Sequence, residues 1–263
     1  MEYKNFKTEA IVLGEKEFGA QDKIFSVFTK KYGKIEVLAK SIRKIKAKLQ
    51  GGLQVLNHLS LEFIKGRNFN IATDIIVKNE FLDIKHSSIK FRAAYYISHL
   101  LNTLVKGEEK DERIWDLILE TLHNIEFTPL SKGSSKQINY NLQLTLRYFE
   151  WNLLSCLGFK PEVYYCVNCQ EKLQEGKFYF SSKEGGILCQ KCKIKKDEIL
   201  SKGPKTNVKE ISRDTIKILR LILSENKKIL NRIKIDPPIL KELKNLSRNF
   251  IQYIAEEHLS VVL

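Results

Sequence analysis

Four cysteines stand in two matched pairs, Cys166/Cys169 and Cys189/Cys192, each written C-x2-C, with nineteen residues between the pairs. Two residues between cysteines let a tight turn aim both sulfurs at one point. Two such turns, joined by a short β-hairpin, place four sulfurs around a tetrahedral ion. Zinc is the metal suited to an all-sulfur, closed, redox-inert site, and the spacing falls within the zinc pattern C-x2-C-x15–20-C-x2-C. The intervening segment agrees: Phe178-Tyr179-Phe180 is strand-forming, Ser181 to Gly186 is turn material, and Ile187-Leu188 returns apolar into Cys189.

Two other uses of these cysteines fit less well. Disulfides need an oxidising compartment, which nothing in the chain marks, and a thioredoxin-like motif uses a single C-x2-C at a βα junction. The expectation is one structural zinc ion held by Cys166, Cys169, Cys189 and Cys192. Four thiolates leave no open position for a reacting water, so the ion would hold structure and not perform chemistry. Cys156, in Leu153-Leu154-Ser155-Cys156-Leu157, reads as a small core residue.

Around this module the hydrophobic period changes along the chain. Residues 1–80 read as β: Ala10 to Leu13, Lys23 to Thr29, Gly33 to Ala39, Val55 to Phe63 and Asn70 to Val77, with Lys65-Gly66-Arg67-Asn68 splitting the last two. Five short strands in about 80 residues suit a small OB-type barrel. From about residue 85 the period is helical, with one broad apolar face through Phe91, Ala94, Tyr95, Ile97, Leu100, Leu101, Leu104 and Val105 and another through Ile114, Leu117, Ile118 and Leu122. A third helix runs through Leu142, Leu146, Phe149 and Leu153 and stops at Gly158, with Pro161 beyond. Helices resume with Ile211, Thr215, Ile218, Leu219 and Ile222, and again from Pro238 to Glu257. The expected fold is α+β: an N-terminal OB-fold β-barrel (1–80), a helical domain in two parts (81–159 and 199–263) and a four-cysteine zinc ribbon (160–198) inserted between them.

Charge directs attention to the barrel. The chain carries 45 Lys+Arg against 31 Asp+Glu, a net +14, which favours a polyanionic partner; a lysine-rich composition serving only solubility is the alternative. Lys40, Arg43, Lys44, Lys46 and Lys48 fall within nine residues that hold no acid. A cationic loop on a small barrel can neutralise phosphates along a nucleic-acid backbone, although a merely solvated loop would look the same. Among the nearby aromatics Phe18, Phe25, Phe28, Tyr32, Phe63 and Phe69, the two beside turn residues, Tyr32 and Phe69, are expected to be exposed and the others core. A second basic cluster, Lys191, Lys193, Lys195 and Lys196, adjoins the last cysteine.

Signatures of catalysis are missing. The chain has no G-x4-G-K-[ST] phosphate loop, no G-x-G-x-x-G, no H-E-x-x-H and no H-x-E with P-C-x-x-C. Its five histidines, His58, His86, His99, His123 and His258, are scattered. No apolar run approaches the about 18–20 residues of a membrane helix, and the first residues have no signal-peptide character. A cytoplasmic, non-enzymatic protein is expected.

The ordered motifs resemble the bacterial RecO family of recombination mediators. Thr8 to Leu13 is similar to its opening strand; Phe18-Gly19, Asp22, Phe28-Thr29 and Tyr32-Gly33-Lys34 to its next hairpin; Leu38 to Lys44 with Leu49-Gln50-Gly51 to its basic loop. Leu157-Gly158-Phe159-Lys160-Pro161 and Gly185 to Cys189 resemble the two approaches to its metal module, and Tyr253 with His258-Leu259 its last helix. Ala20, Ser41 and Ala47 depart from the family's usual glutamate, glycine and serine. The resemblance implies a nucleoid-associated DNA-repair protein that binds single- and double-stranded DNA and anneals complementary strands. It further implies pairing with RecR, engagement of the acidic C-terminal tail of single-strand-binding protein, and help in loading RecA, without ATP hydrolysis. The competing reading is a zinc-ribbon scaffold or adaptor that binds acidic protein partners or RNA.

Overall fold

A computed structural model describes residues 4–43, 49, 51–129, 135–199, 208–224 and 235–259. The fold is α+β, with a closed five-stranded barrel, then helices, and a four-cysteine cluster in the C-terminal part. The chain forms two compact units, Met1–Thr145 and Leu146–Leu263.

The barrel comprises β1 (Asn5–Phe18), β2 (Asp22–Thr29), β3 (Gly33–Ala39), β4 (His58–Lys65) and β5 (Asn70–Asn79), closed in the order β1-β2-β3-β5-β4. Closure depends on the length of β1. Its first half pairs with β4, from Asn5↔Ile64 to Ile11↔His58, and its second half with β2, from Ala10↔Thr29 to Phe18↔Asp22. A register shift between Val12 and Gly14 bends the strand between these duties. A short parallel contact, Val37↔Asn70 and Leu38↔Ile71, completes the ring. Successive residues of a strand point to opposite faces, so Phe25 and Val27, Ile35 and Val37, and Leu59, Leu61 and Phe63 fill the interior.

The other face of β1 and β2 is also apolar. Ile11, Leu13, Ile24 and Phe28 are buried, and Phe28 stacks on Trp115 at 6.5 Å. Helices α1 (Leu82–His86), α2 (Ser88–Leu104) and α3 (Glu112–Glu126) follow the barrel in this unit. Asn102 ties α2 to the barrel: its Oδ1 accepts from Ser26 Oγ at 2.7 Å, its Nδ2 donates to Leu13 O at 3.2 Å, and its carbonyl accepts from Lys34 Nζ at 2.8 Å. Helix ends are closed by side chains, as buried backbone groups require. Asp111 caps α3 by accepting from Arg113 N and Ile114 N. The Glu126 carboxylate accepts from Ile84 N at the start of α1, and the buried Lys90 donates to the Glu126 carbonyl.

Helix α4 (Ser135–Cys156) begins in the first unit and ends in the second. It stops where the sequence indicates. Gly158 has φ +89, and Phe159 N and Gly158 N donate to Leu154 O and Ser155 O, the two-bond Schellman closure that favours glycine at this position. The second unit holds a three-stranded sheet, β6 (Phe178–Ser181), β7 (Gly186–Cys189) and β8 (Val208–Ile211), in the order β7-β6-β8. Helices α5 (Gln190–Ile199), α6 (Arg213–Leu223) and α7 (Pro237–Leu259) complete it. The rings of Trp151, Phe180 and Phe250 meet at 5.4–6.1 Å and join α4, β6 and α7.

The structure differs from expectation in three places. Helix α5 follows the last strand of the cysteine module, where no helix was expected. Phe91 and Tyr95 of the expected apolar face of α2 are exposed, because that face is wider than the surface it packs on. A strand replaces the start of the next helix. Ile211 does not open a helical face; it ends β8, opposite Phe178. The helix begins only after Ser212, whose hydroxyl accepts from Thr215 N. Four residues are too few to show a period, and the partner strand is about thirty residues away in sequence, so only the pairing reveals the strand. Among the described residues no helix is long and apolar enough to cross a membrane.

Candidate metal centre and nucleic-acid surface

Two knuckles build the four-cysteine cluster. The first is the turn from Cys166 to Cys169, closed by Gln170 N donating to Cys166 O at 2.8 Å, with Gln170 at φ +58. Val167 N donates to Ile187 O at 2.9 Å, which ties this turn to β7. The second knuckle lies where β7 runs into α5: Cys189 is the last strand residue and Cys192 sits in the first turn of the helix.

The four sulfurs lie within 4.8 Å of one another, and those of Cys169 and Cys189 are 3.9 Å apart. A tetrahedron of zinc–sulfur bonds of about 2.3 Å has edges of about 3.8 Å, so the geometry fits. N–H groups already point at sulfur, among them Cys189 N at Cys166 Sγ (3.4 Å) and Asn168 Nδ2 at Cys192 Sγ (3.3 Å). Burial opposes ionisation of Cys166, yet the N–H groups of Cys169, Cys189 and Asn168 outweigh it and bring the thiol down to about 7. Burial pushes Cys192 up to about 12; with few donors of its own, it needs a cation to hold it as thiolate. The cluster can hold a metal ion. Cys156 is half-buried near the end of α4, outside the cluster.

The basic loop is described at its base. Lys40 is exposed, Ile42 is buried in the barrel core, and Arg43 is exposed. Lys44, Lys46 and Lys48 lie outside the described residues. The β1–β2 hairpin anchors the base: Ser41 N donates to Asp22 Oδ1 at 2.7 Å, and Arg43 N to Gln21 O at 3.2 Å. Arg43 also meets the Glu17 carboxylate at 3.0 Å. Ser41 adopts φ +52, a left-handed conformation that is costly for any residue with a Cβ, and this is a position where the sequence departs from the family's glycine.

The aromatics sort differently from expectation in three cases, Tyr32, Phe69 and Phe18. Phe25, Phe28 and Phe63 are buried. Tyr32 is half-buried, because Phe6 and Phe63 offer its ring an apolar seat at 5.9 and 5.6 Å. Phe18, expected in the core, is 41% exposed, with the half-buried Phe69 edge-on at 5.3 Å. Two of the four lysines of the second basic cluster are paired: Lys193 with Asp197 and Lys196 with Glu184.

A further feature lies on the barrel. A groove of about 820 Å³ runs along β2 and β3 between the β4–β5 turn and α2, with Lys34, Lys65, Arg67, Phe69 and Tyr95 in its walls. The sequence did carry a signal. Lys65-Gly66-Arg67-Asn68-Phe69 holds two cations and an aromatic in one tight turn, but it reads first as a strand separator.

Comparison with known proteins covers nearly the whole chain. Residues 1–80 match the family described as Recombination protein O N terminal, and residues 86–260 match Recombination protein O C terminal. A protein of Dehalococcoides mccartyi (strain CBDB1) named DNA repair protein RecO is 31% identical over 253 residues, which is 96% of this chain and 92% of that protein. Proteins of the same name from Roseiflexus sp. (strain RS-1) and Alkaliphilus metalliredigens (strain QYMF) are 29% and 28% identical, over 95% and 93% of this chain and 81% and 92% of theirs.

Proposed function

The chain belongs to the recombination protein O family, a family of DNA repair proteins, and from that premise we propose that it is a DNA-binding mediator of recombinational repair. It binds and anneals single-stranded DNA and helps to load RecA onto strands coated by single-strand-binding protein. RecR and the acidic tail of single-strand-binding protein are its protein partners, and duplex DNA is a second nucleic-acid ligand. It works at the nucleoid in the cytoplasm.

The observation that carries this reading is a closed five-stranded barrel with a cation-rich loop anchored at its rim. In this reading residues 1–80 are the DNA-binding domain, 81–159 and 199–263 the helical domain, and 160–198 its metal-bearing insertion. Lys40, Arg43, Lys44, Lys46 and Lys48 contact phosphates. Such contacts release counterions, so binding is strong at low salt and reversible without fuel. That suits a protein that holds a strand and hands it on without ATP hydrolysis.

One zinc ion on Cys166, Cys169, Cys189 and Cys192 staples the small module. When bound it supplies a fourfold cross-link and no chemistry. The protein's own part is to pre-form the knuckles and to aim N–H groups at Cys166 and Cys192.

The test is a titration of a labelled oligothymidine at two salt concentrations. For single strands the logarithmic salt slope changes by about 0.7 per phosphate neutralised. Replacing Arg43, Lys44 and Lys46 together with alanine should therefore weaken binding and flatten the slope by about 2. Unchanged affinity and slope would show that the loop is not the DNA-binding site.

A further inference from the structure

We propose that Cys169 and Cys189 are a modification site: a peroxide oxidises this pair to a disulfide across the two knuckles and so empties the four-cysteine metal site. This rests on the metal reading above and adds a chemical control to it.

Accessibility divides the four cysteines. Cys166 and Cys192 are 0% and 5% exposed, whereas Cys169 is exposed and Cys189 half-buried. Residues 168–172 are all exposed, as are Gln190 and Lys191 beside Cys189, so a small oxidant reaches these two sulfurs from solvent. The accessible pair takes one cysteine from each knuckle, and its sulfurs are 3.9 Å apart. A disulfide bond is about 2.05 Å long, so a modest rotation of either side chain closes the gap. Within the knuckles the choices are worse. Cys166 is buried and accepts from Cys189 N at 3.4 Å; Cys192 is buried and accepts from Asn168 Nδ2 at 3.3 Å. Pairing inside a knuckle would break such a bond and draw out a buried sulfur, whereas pairing across leaves both seated.

With hydrogen peroxide the chemistry balances within the pair. The Cys169 thiolate attacks one peroxide oxygen, the O–O bond breaks and hydroxide departs, leaving a sulfenic acid on Cys169. The Cys189 thiolate then attacks that sulfur and expels a second hydroxide as the S–S bond forms. The pair loses two electrons, one peroxide is reduced, and two protons from solvent turn the hydroxides into water. A structural zinc site needs four donors. Two are now consumed, and Cys166 and Cys192 alone cannot close the shell. The cross-link still ties the first knuckle to the end of β7, closing a loop of about 20 residues, so one covalent closure replaces the fourfold one. An exposed disulfide is open to attack by a thiol, which makes the change reversible.

Treatment of the full, zinc-loaded chain with hydrogen peroxide tests this. A chromogenic chelator should record zinc release in step with disulfide formation, and mass spectrometry of the digested protein should find Cys169 joined to Cys189. Dimedone added at early times, which traps sulfenic acids, should label Cys169 over Cys166 and Cys192 on the order of tenfold. Dithiothreitol followed by zinc should restore the metal content. Cys156→Ala, outside the cluster, should change neither the release nor the linkage. A disulfide within one knuckle, preferential labelling of Cys166 or Cys192, or full retention of zinc under excess peroxide overturns the pair and leaves the metal reading standing. Release that disappears in Cys156→Ala overturns it equally. An untreated chain that takes up no zinc removes the metal reading and this proposal together.

Discussion

The barrel draws its core from all five strands, with Val12, Phe25, Val37, Phe63 and Ala72 each nearly inaccessible. The cysteine module has a far smaller apolar interior, chiefly Val163, Leu173, Phe178 and Ile187, and places sulfur at its centre. Burial stabilises by roughly 25 cal/mol per Å² of apolar surface, which rewards the barrel and leaves the module short. Ligation makes up the difference in small modules. The two regions should therefore fail for different reasons: the barrel when its packing is broken, the module when a ligand is lost.

The largest expected effect tests the module. Structural zinc is worth on the order of 10 kcal/mol of apparent binding energy in small modules. Cys166→Ser should abolish zinc, read as metal per chain, and unfold about 160–198, while amide exchange in β1–β5 stays slow. Full zinc content in that variant would refute the ligand assignment, and joint loss of barrel protection would refute the separation.

Next in size is the converse experiment. Phe63→Ala removes a ring that touches Phe6 and Tyr32 and should cost about 3–5 kcal/mol in denaturant unfolding of the barrel, with zinc content unchanged. Ser41→Gly should act in the opposite direction. It relieves the left-handed φ at the base of the loop, and after the entropic cost of glycine the gain should be roughly 0.5–1 kcal/mol. A loss of stability would mean that the Ser41 side chain contributes more than its backbone strain costs.

The smallest effect is a pH dependence confined to the barrel. Burial holds the His58 imidazole below its ordinary value of 6.5, despite the Glu9 carboxylate at 2.9 Å. The unfolded chain therefore takes up this proton first, so the stabilisation is complete above about 6.5 and is lost as pH falls from there through the folded value. Glu9, held low first by Lys78, adds a second loss that begins near its ordinary 4.5 and proceeds as pH falls through its lowered value. Melting at pH 7.5 and 5.5 should show a smaller difference in His58→Gln than in the unaltered protein.

Local patterns were readable in advance wherever the physics is local. Two C-x2-C turns need only a few residues to aim their sulfurs, alternation along β2, β3 and β4 needs only the pleat, and the stop at Gly158 needs only one left-handed residue. The exposure of Phe18, the seating of Tyr32 and the strand β8 were not readable, because each depends on a partner far along the chain: Phe69, Phe6 with Phe63, and β6.

The sequence by itself thus determined the four-cysteine pattern, the β-then-helical order and the run of cations at 40–48, since spacing, period and charge are properties of adjacent residues. Only the tertiary structure decided where the barrel closes and which acids neutralise which lysines. It alone brought Tyr95 of α2 to the same groove as Arg67 and Phe69 of the β4–β5 turn. Register and helix docking are set by the burial of many side chains at once, with Asn102 bonded to three barrel residues as the local fastening. No single stretch of sequence carries that sum.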